Sequence, residues 1–206
     1  MKHNDLEKWR RFFDELAPRW DNQEDLVLVR QKLQNGFKEM GVSPHENILD
    51  VGCGTGNLTL SVLPLLGEQG RVTAVDISPV MIRMAQEKIS DSRVTLMVES
   101  SHALPIPSSS FHRIFCLHVW PHLGDYHSHL REFNRLLKEG GVVHVWHLVS
   151  RDTINAIHGG AGEGVKHDVL APAEETAALF MEHGFTVERI IDDEERYLVC
   201  ARKPGE

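Results

Sequence analysis

From Glu46 onward the chain alternates short apolar strands, turns and amphipathic helices, and this order restricts it to a mostly parallel sheet with helices on both faces. Composition and spacing predict strands at Asn47 to Val51, Arg71 to Val75, Arg93 to Val98, His112 to His118 and Gly141 to Val149. A helix is expected to open at Ser78, whose hydroxyl can cap it, with Pro79 at the first helical position. Another is expected over Asp125 to Lys138, closed by Gly140 and Gly141. After a helix over Ala173 to His183, two β-rich runs, Phe185 to Ile191 and Arg196 to Ala201, follow in quick succession. The gap between them allows a hairpin and no crossover, so the last strand should be antiparallel. Ahead of the alternation lie two helical stripes. Leu6, Trp9, Phe12, Phe13 and Leu16 form the first, which Pro18 should end; Leu26, Val29, Leu33, Phe37 and Met40 form the second, closed by Gly41. The length fits a single α/β domain, 1–206, with a helical cap over 1–42 and an irregular, Gly-rich active-site loop over 150–172.

Charge and composition narrow the function. A net charge of −8 with no basic patch repels a phosphate backbone, so nucleic acid is not the expected partner. No apolar run approaches the roughly 18 residues of a membrane span, and the first ten residues carry scattered charges in place of a signal sequence. Cys53, Cys116 and Cys200 form neither a CxxC pair nor an even disulfide set, which suggests reduced thiols and a cytoplasmic location. Histidine is abundant, 13 in all, and nine lie between His102 and His158.

The first strand runs into Asp50-Val51-Gly52-Cys53-Gly54-Thr55-Gly56. Three glycines leave bare peptide groups against which a ligand can lie. Dinucleotide sites use GxGxxG to bring a pyrophosphate to a helix N-terminus; here the spacing is GxGxG with an acid two residues ahead, ill suited to a pyrophosphate. At the end of the second strand, Asp76 is placed to accept hydrogen bonds from both hydroxyls of a ribose. These features indicate a nucleoside without phosphates.

With these residues in place, the chain resembles the class I S-adenosylmethionine-dependent methyltransferases that act on small molecules. The run Ile48 to Gly56 looks like their first motif, and FFDELAPRWD, AVDIS, ALPIPSSSF and RLLKEGG extend the likeness from Phe12 over nearly all of the chain. The resemblance implies a Rossmann-like, seven-stranded sheet and a cofactor site made of Asp50, Gly52, Cys53, Gly54, Gly56, Asp76, Ile77, Ser100, Ser101 and His118, with Asp50 near the cofactor ammonium and Asp76 on its ribose. The sequence departs from the family pattern at Ser100, where an acid usually meets the adenine amino group. A serine hydroxyl, a backbone carbonyl or Glu99 could take that hydrogen bond. His112 stands where the family commonly has Asp, and is read as structural.

Ligands of open α/β sheets bind beyond the carboxyl ends of the strands, so residues after the fourth and fifth strands should face the reacting methyl group. His147 is the first candidate for a general base and His122 the second, while Arg151 either pairs with a structural carboxylate or clamps an anionic group on the acceptor. His127, His129 and His183 sit on expected helices and read as surface residues. If the Gly-rich loop folds back, His147, His158 and His167 with Asp168 could hold zinc or another divalent metal. The main expectation is methyl transfer to a small-molecule acceptor. Two rivals are an acceptor that is metal-bound or metalloid, and a noncatalytic sensor or scaffold that keeps the nucleoside pocket. The N-terminal aromatics Trp9, Phe12, Phe13 and Trp20 form either a lid over the site or packing on the sheet edge. Neither the acceptor nor the oligomeric state is set by the sequence.

Overall fold

The computed structural model describes residues 3–23, 25–161 and 163–205; Met1, Lys2, Glu24, Gly162 and Glu206, which fall within the expected cap, loop and domain ranges, lie outside the described residues. Seven strands, β1 (Asn47–Val51), β2 (Arg71–Asp76), β3 (Val94–Val98), β4 (Phe111–Leu117), β5 (Leu137–His147), β6 (Thr186–Asp192) and β7 (Tyr197–Arg202), form one sheet in the order β3-β2-β1-β4-β5-β7-β6. β1 to β5 pair in parallel and β7 runs antiparallel to both β5 and β6. The turn between β6 and β7 is closed by Asp193, whose carboxylate accepts from the backbone N–H groups of Glu195 and Arg196.

Side chains alternate between two cores because successive residues of a strand face opposite ways. Leu49, Val51, Ile114, Cys116, Val143 and Val145 face one layer with Phe133 of α5 (Tyr126–Leu136) and Phe180 of α7 (Ala173–Glu182). Ile48, Phe115, Val142 and Trp146 face the other, with Leu33 and Phe37 of α2 (Leu26–Glu39) and Leu58 and Val62 of α3 (Asn57–Val62). α2 lies so close to β5 that a Cβ at Gly36 would fall 2.3 Å from the Trp146 ring, which explains a glycine inside a helix. The helix over Pro79–Lys88, α4, starts as expected, with the Ser78 hydroxyl accepting from Met81 N at 3.0 Å.

Two expectations are corrected. The first helix, α1 (His3–Trp20), does not stop ahead of Pro18 but carries it in its last turn. Pro18 forfeits the hydrogen bond its N–H would give the Asp14 carbonyl, and the helix persists through it because Ala17 beside it is packed fully out of solvent. The stretch 150–172 is not an irregular loop throughout, because Arg151–Gly160 forms a helix, α6. Ser150 caps it by accepting from Thr153 N, and Ile154 and His158, four apart, bury one face. The β-branched residues and paired glycines of this segment mask its helical stripe. Among the described residues no helix is long and apolar enough to cross a membrane.

Candidate active site

Strand order reverses between β1 and β4, so the crevice lies beyond their carboxyl ends, between the glycine loop and residues 118–123. Gly52 has φ +65° and a Cβ on it would lie 2.3 Å from Val119, so the two loops touch where only a glycine fits. Gly54, φ +53°, faces an open space whose nearest atom to a built Cβ is the Trp20 indole nitrogen at 3.7 Å. Gly56 packs against Ile89, the residue just past α4, and is outside the pocket wall.

Two connected pockets share Phe13, Trp20, Gly52, Gly54, His118 and His122. In the first, Asp76 accepts from Gly54 N at 2.9 Å with one oxygen and from Ser78 N at 2.8 Å with the other. It therefore shapes the glycine loop as well as facing the cavity, and burial pushes its pKa up to about 6 despite those bonds. Ile77, Glu99, Ser100 and Ser101 line the same wall. His129, expected on the surface, is buried here instead. It holds the Leu123 carbonyl through Nε2 at 3.1 Å, so its Nδ1 accepts from the Ser101 hydroxyl at 2.9 Å; burial pushes its pKa down to about 4. Its position, four residues after Asp125 on an amphipathic helix, gave no sign of this.

In the second pocket Asp50 and Cys53 join the glycine loop. Asp50 is 1% exposed; Oδ2 accepts from the Thr59 hydroxyl at 2.7 Å and Oδ1 has no partner among the described residues. Burial, with the charge of Asp76 adding, raises its pKa to about 7. An orphaned carboxylate oxygen, a second buried carboxylate and a bare glycine cradle form a site for a cation of some length, and S-adenosylmethionine, with its ammonium, sulfonium and ribose hydroxyls, fits this set.

The wall continues over Phe12, Leu16, Val29, Ile154, Ile157, His158 and Val165. His118 holds a left-handed backbone, φ +55°, uncommon for a side-chain-bearing residue, and its Nε2 accepts from Leu148 N at 3.3 Å; burial pushes its pKa down to about 4. His122 is held through Nδ1 by Asp168 Oδ2 at 2.8 Å. Neither Asp168 nor Trp9, which also donates to it, was expected from the sequence to support His122.

His147, the expected first base, lies outside both walls: it is fully buried between His118 and Tyr197, and neither ring nitrogen has a hydrogen-bond partner among the described residues. β5 runs through His147, which still pairs with Tyr197 in the sheet, so the crevice begins beyond it. Arg151 pairs with Asp192 at 2.9 Å, the structural alternative, and also lies outside the wall. The set His147, His158 and His167 does not converge: His167 is exposed and His158 donates through Nδ1 to the Asp168 carbonyl at 2.6 Å. Among the described residues no three His, Cys, Asp or Glu side chains are placed to hold a metal ion.

Sheet order and glycine loop are those of the class I S-adenosylmethionine-dependent methyltransferase fold, and the two buried acids fit the charge of that cofactor. The comparisons agree. Residues 48–141, which hold the loop and Asp76, match the family described as "Methyltransferase domain". A demethylmenaquinone methyltransferase of Listeria monocytogenes is 29% identical over 147 residues, 68% of this chain and 62% of that protein, so the chain spans about three-fifths of the relative's length. A S-adenosylmethionine-dependent methyltransferase of Aquifex aeolicus superposes with a TM-score of 0.70 at 21% identity, covering 83% of this chain and 89% of the other. A chain from the complex of the Haloferax volcanii Trm112 methyltransferase activator with a methyltransferase gives 0.79 at 20% identity, covering 96% and 98%.

Proposed function

We propose that this protein transfers the methyl group of S-adenosylmethionine to a small, largely apolar acceptor that loses a proton as it is methylated. The observation that carries the reading is the unpartnered Asp50 Oδ1 buried beside the bare glycine loop, with Asp76 on the same crevice. The bound cofactor supplies an electrophilic methyl on sulfur. Asp50 would hold its ammonium and Asp76 its ribose, while Phe13 and Trp20 line the cradle and exclude water. Holding the acceptor in line at about 3–3.5 Å is the main task, worth roughly 7–11 kcal/mol, and the aromatic and aliphatic wall performs it.

His122 is the base. Because the Asp168 carboxylate can only accept, His122 Nδ1 carries the hydrogen and Nε2 keeps its lone pair for the acceptor proton. As the acceptor takes the methyl, Nε2 takes its proton; the bound cofactor would keep the bonding electron pair on sulfur as a thioether. The relatives act on demethylmenaquinone, and a quinone-type ring, flat, apolar and carrying an ionisable hydroxyl when reduced, suits this wall. We read the chain as cytoplasmic, since its three cysteines are free and buried, and as acting on a metabolite and not on nucleic acid.

Incubation with methyl-labelled cofactor and fractionated extract, reduced quinones included, is expected to yield a labelled organic product. Cofactor binding with no label transferred to any fraction would favour the sensor reading.

A further inference from the structure

A single oxygen, Asp168 Oδ2, accepts both from Trp9 Nε1 of α1 at 2.7 Å and from His122 Nδ1 at 2.8 Å. All three side chains are nearly buried. Two further contacts tie the same pieces together. The Phe12 ring lies on the backbone of Gly164, where a Cβ would fall 2.3 Å from it, and the Phe13 ring meets the His122 ring edge-on at 5.2 Å. The Asp168 carbonyl in turn takes the His158 Nδ1 hydrogen, which fixes this segment to α6.

We propose that Asp168 is a positioning residue that couples docking of the α1 lid to the readiness of His122, on the reading that His122 is the base of a methyltransferase. Both accepting directions of the oxygen are filled, one by the lid and one by the base. When Trp9 withdraws, the carboxylate gains water and rotational freedom, and the hydrogen on His122 Nδ1 is no longer held there. The lone pair at Nε2 is then presented to an acceptor only while the lid shuts out water.

The test uses the full chain without acceptor, labelled with ¹⁵N in histidine, with His122→Asn identifying the resonances. In the parent protein His122 should show a protonated Nδ1 and an unprotonated Nε2. Asp168→Ala should transfer the hydrogen largely to Nε2, and Asp168→Asn, which keeps an accepting oxygen, should restore the parent pattern in part. Trp9→Phe keeps an aromatic ring and removes the Nε1–H donor. It should disturb the His122 tautomer and speed tryptic cleavage after Arg11 at least about fivefold, as expected for the loss of a buried charge-assisted hydrogen bond. Calorimetry with S-adenosylhomocysteine separates the two claims: no heat with the parent protein overturns the methyltransferase reading. Normal binding, with tautomer and cleavage rate unmoved in Trp9→Phe, overturns the coupling; should Asp168→Ala fail to fold, Trp9→Phe alone decides.

Discussion

Two carboxylates with raised pKa values carry a pH dependence whose sign follows from their burial. In the ligand-free protein Asp50 and Asp76 hold protons up to about pH 7 and 6, against ordinary values near 3.8 in the unfolded chain. Between those limits the folded state binds more protons than the unfolded one, so stability of the free protein falls as pH rises through this window. A bound cation favours the ionised acids, so affinity for S-adenosylmethionine should rise between about pH 5.5 and 7.5 and binding should release protons near neutrality. Calorimetry in buffers of different ionisation enthalpy reads this release directly. Asp50→Asn should weaken binding by about tenfold or more while raising the melting temperature of the free protein at pH 8, because it removes a buried charge. A variant that binds normally would remove Asp50 from the site. The acids themselves were legible because GxGxG spacing and strand ends place them regardless of the rest of the fold. The partners of Asp50 and His122 were not, because Thr59 and Asp168 reach them through folding and not through any local spacing.

Among the elements, α1 departs from expectation at its end, which runs through Pro18 to Trp20. Its apolar stripe was visible, but the same stripe serves a lid or a packed edge, and the polar residues that fasten it were not marked by any spacing. Asp14 accepts from the Ser78 hydroxyl at 2.5 Å, and Asp21, just past the helix, accepts from Thr55 Oγ1 at 2.6 Å, Asn57 Nδ2 at 3.2 Å and Lys88 Nζ at 2.7 Å. Burial pushes the Asp21 pKa up, but the bonds from Lys88 and Thr55 outweigh it and hold the carboxylate below its usual range. α1 is thus fastened to the glycine loop at its end and to the cap of α4 at its middle. Asp21→Ala should loosen the loop, with faster amide exchange at Thr55 and Gly56 and about tenfold or more weaker cofactor binding, the scale of one lost charge-assisted hydrogen bond. Unchanged exchange at those amides would mean that the glycines alone set the loop conformation. α6 escaped sequence reading for a different reason: its helical face amounts to Ile154 and His158, too little stripe to stand out against Gly159 and Gly160.

Across the whole molecule, the parallel sheet and terminal hairpin could be read from the chain because they depend on local alternation and on a gap too short for a crossover. The order of the strands was implied only by family resemblance, since nothing local says that β4 returns beside β1. That return creates the crevice, and it also explains how the histidines are sorted. His118 and His122 follow β4 at the reversal, whereas His147 is still paired within β5, one strand further from the switch. A ligand in the crevice bridges the ends of β1, β2 and β4 and the helix α1, so binding should stabilise the fold globally and not just the lid. At about a hundredfold above its dissociation constant a ligand adds about 2.7 kcal/mol, which for a chain of this size raises the melting temperature by roughly 5–10 °C. S-adenosylhomocysteine should produce this shift in differential scanning fluorimetry, and NAD and ATP should not, because their phosphates would bring negative charge to Asp50 and Asp76. A shift with the phosphorylated nucleotides and none with the thioether would contradict the charge argument on which the cofactor assignment rests.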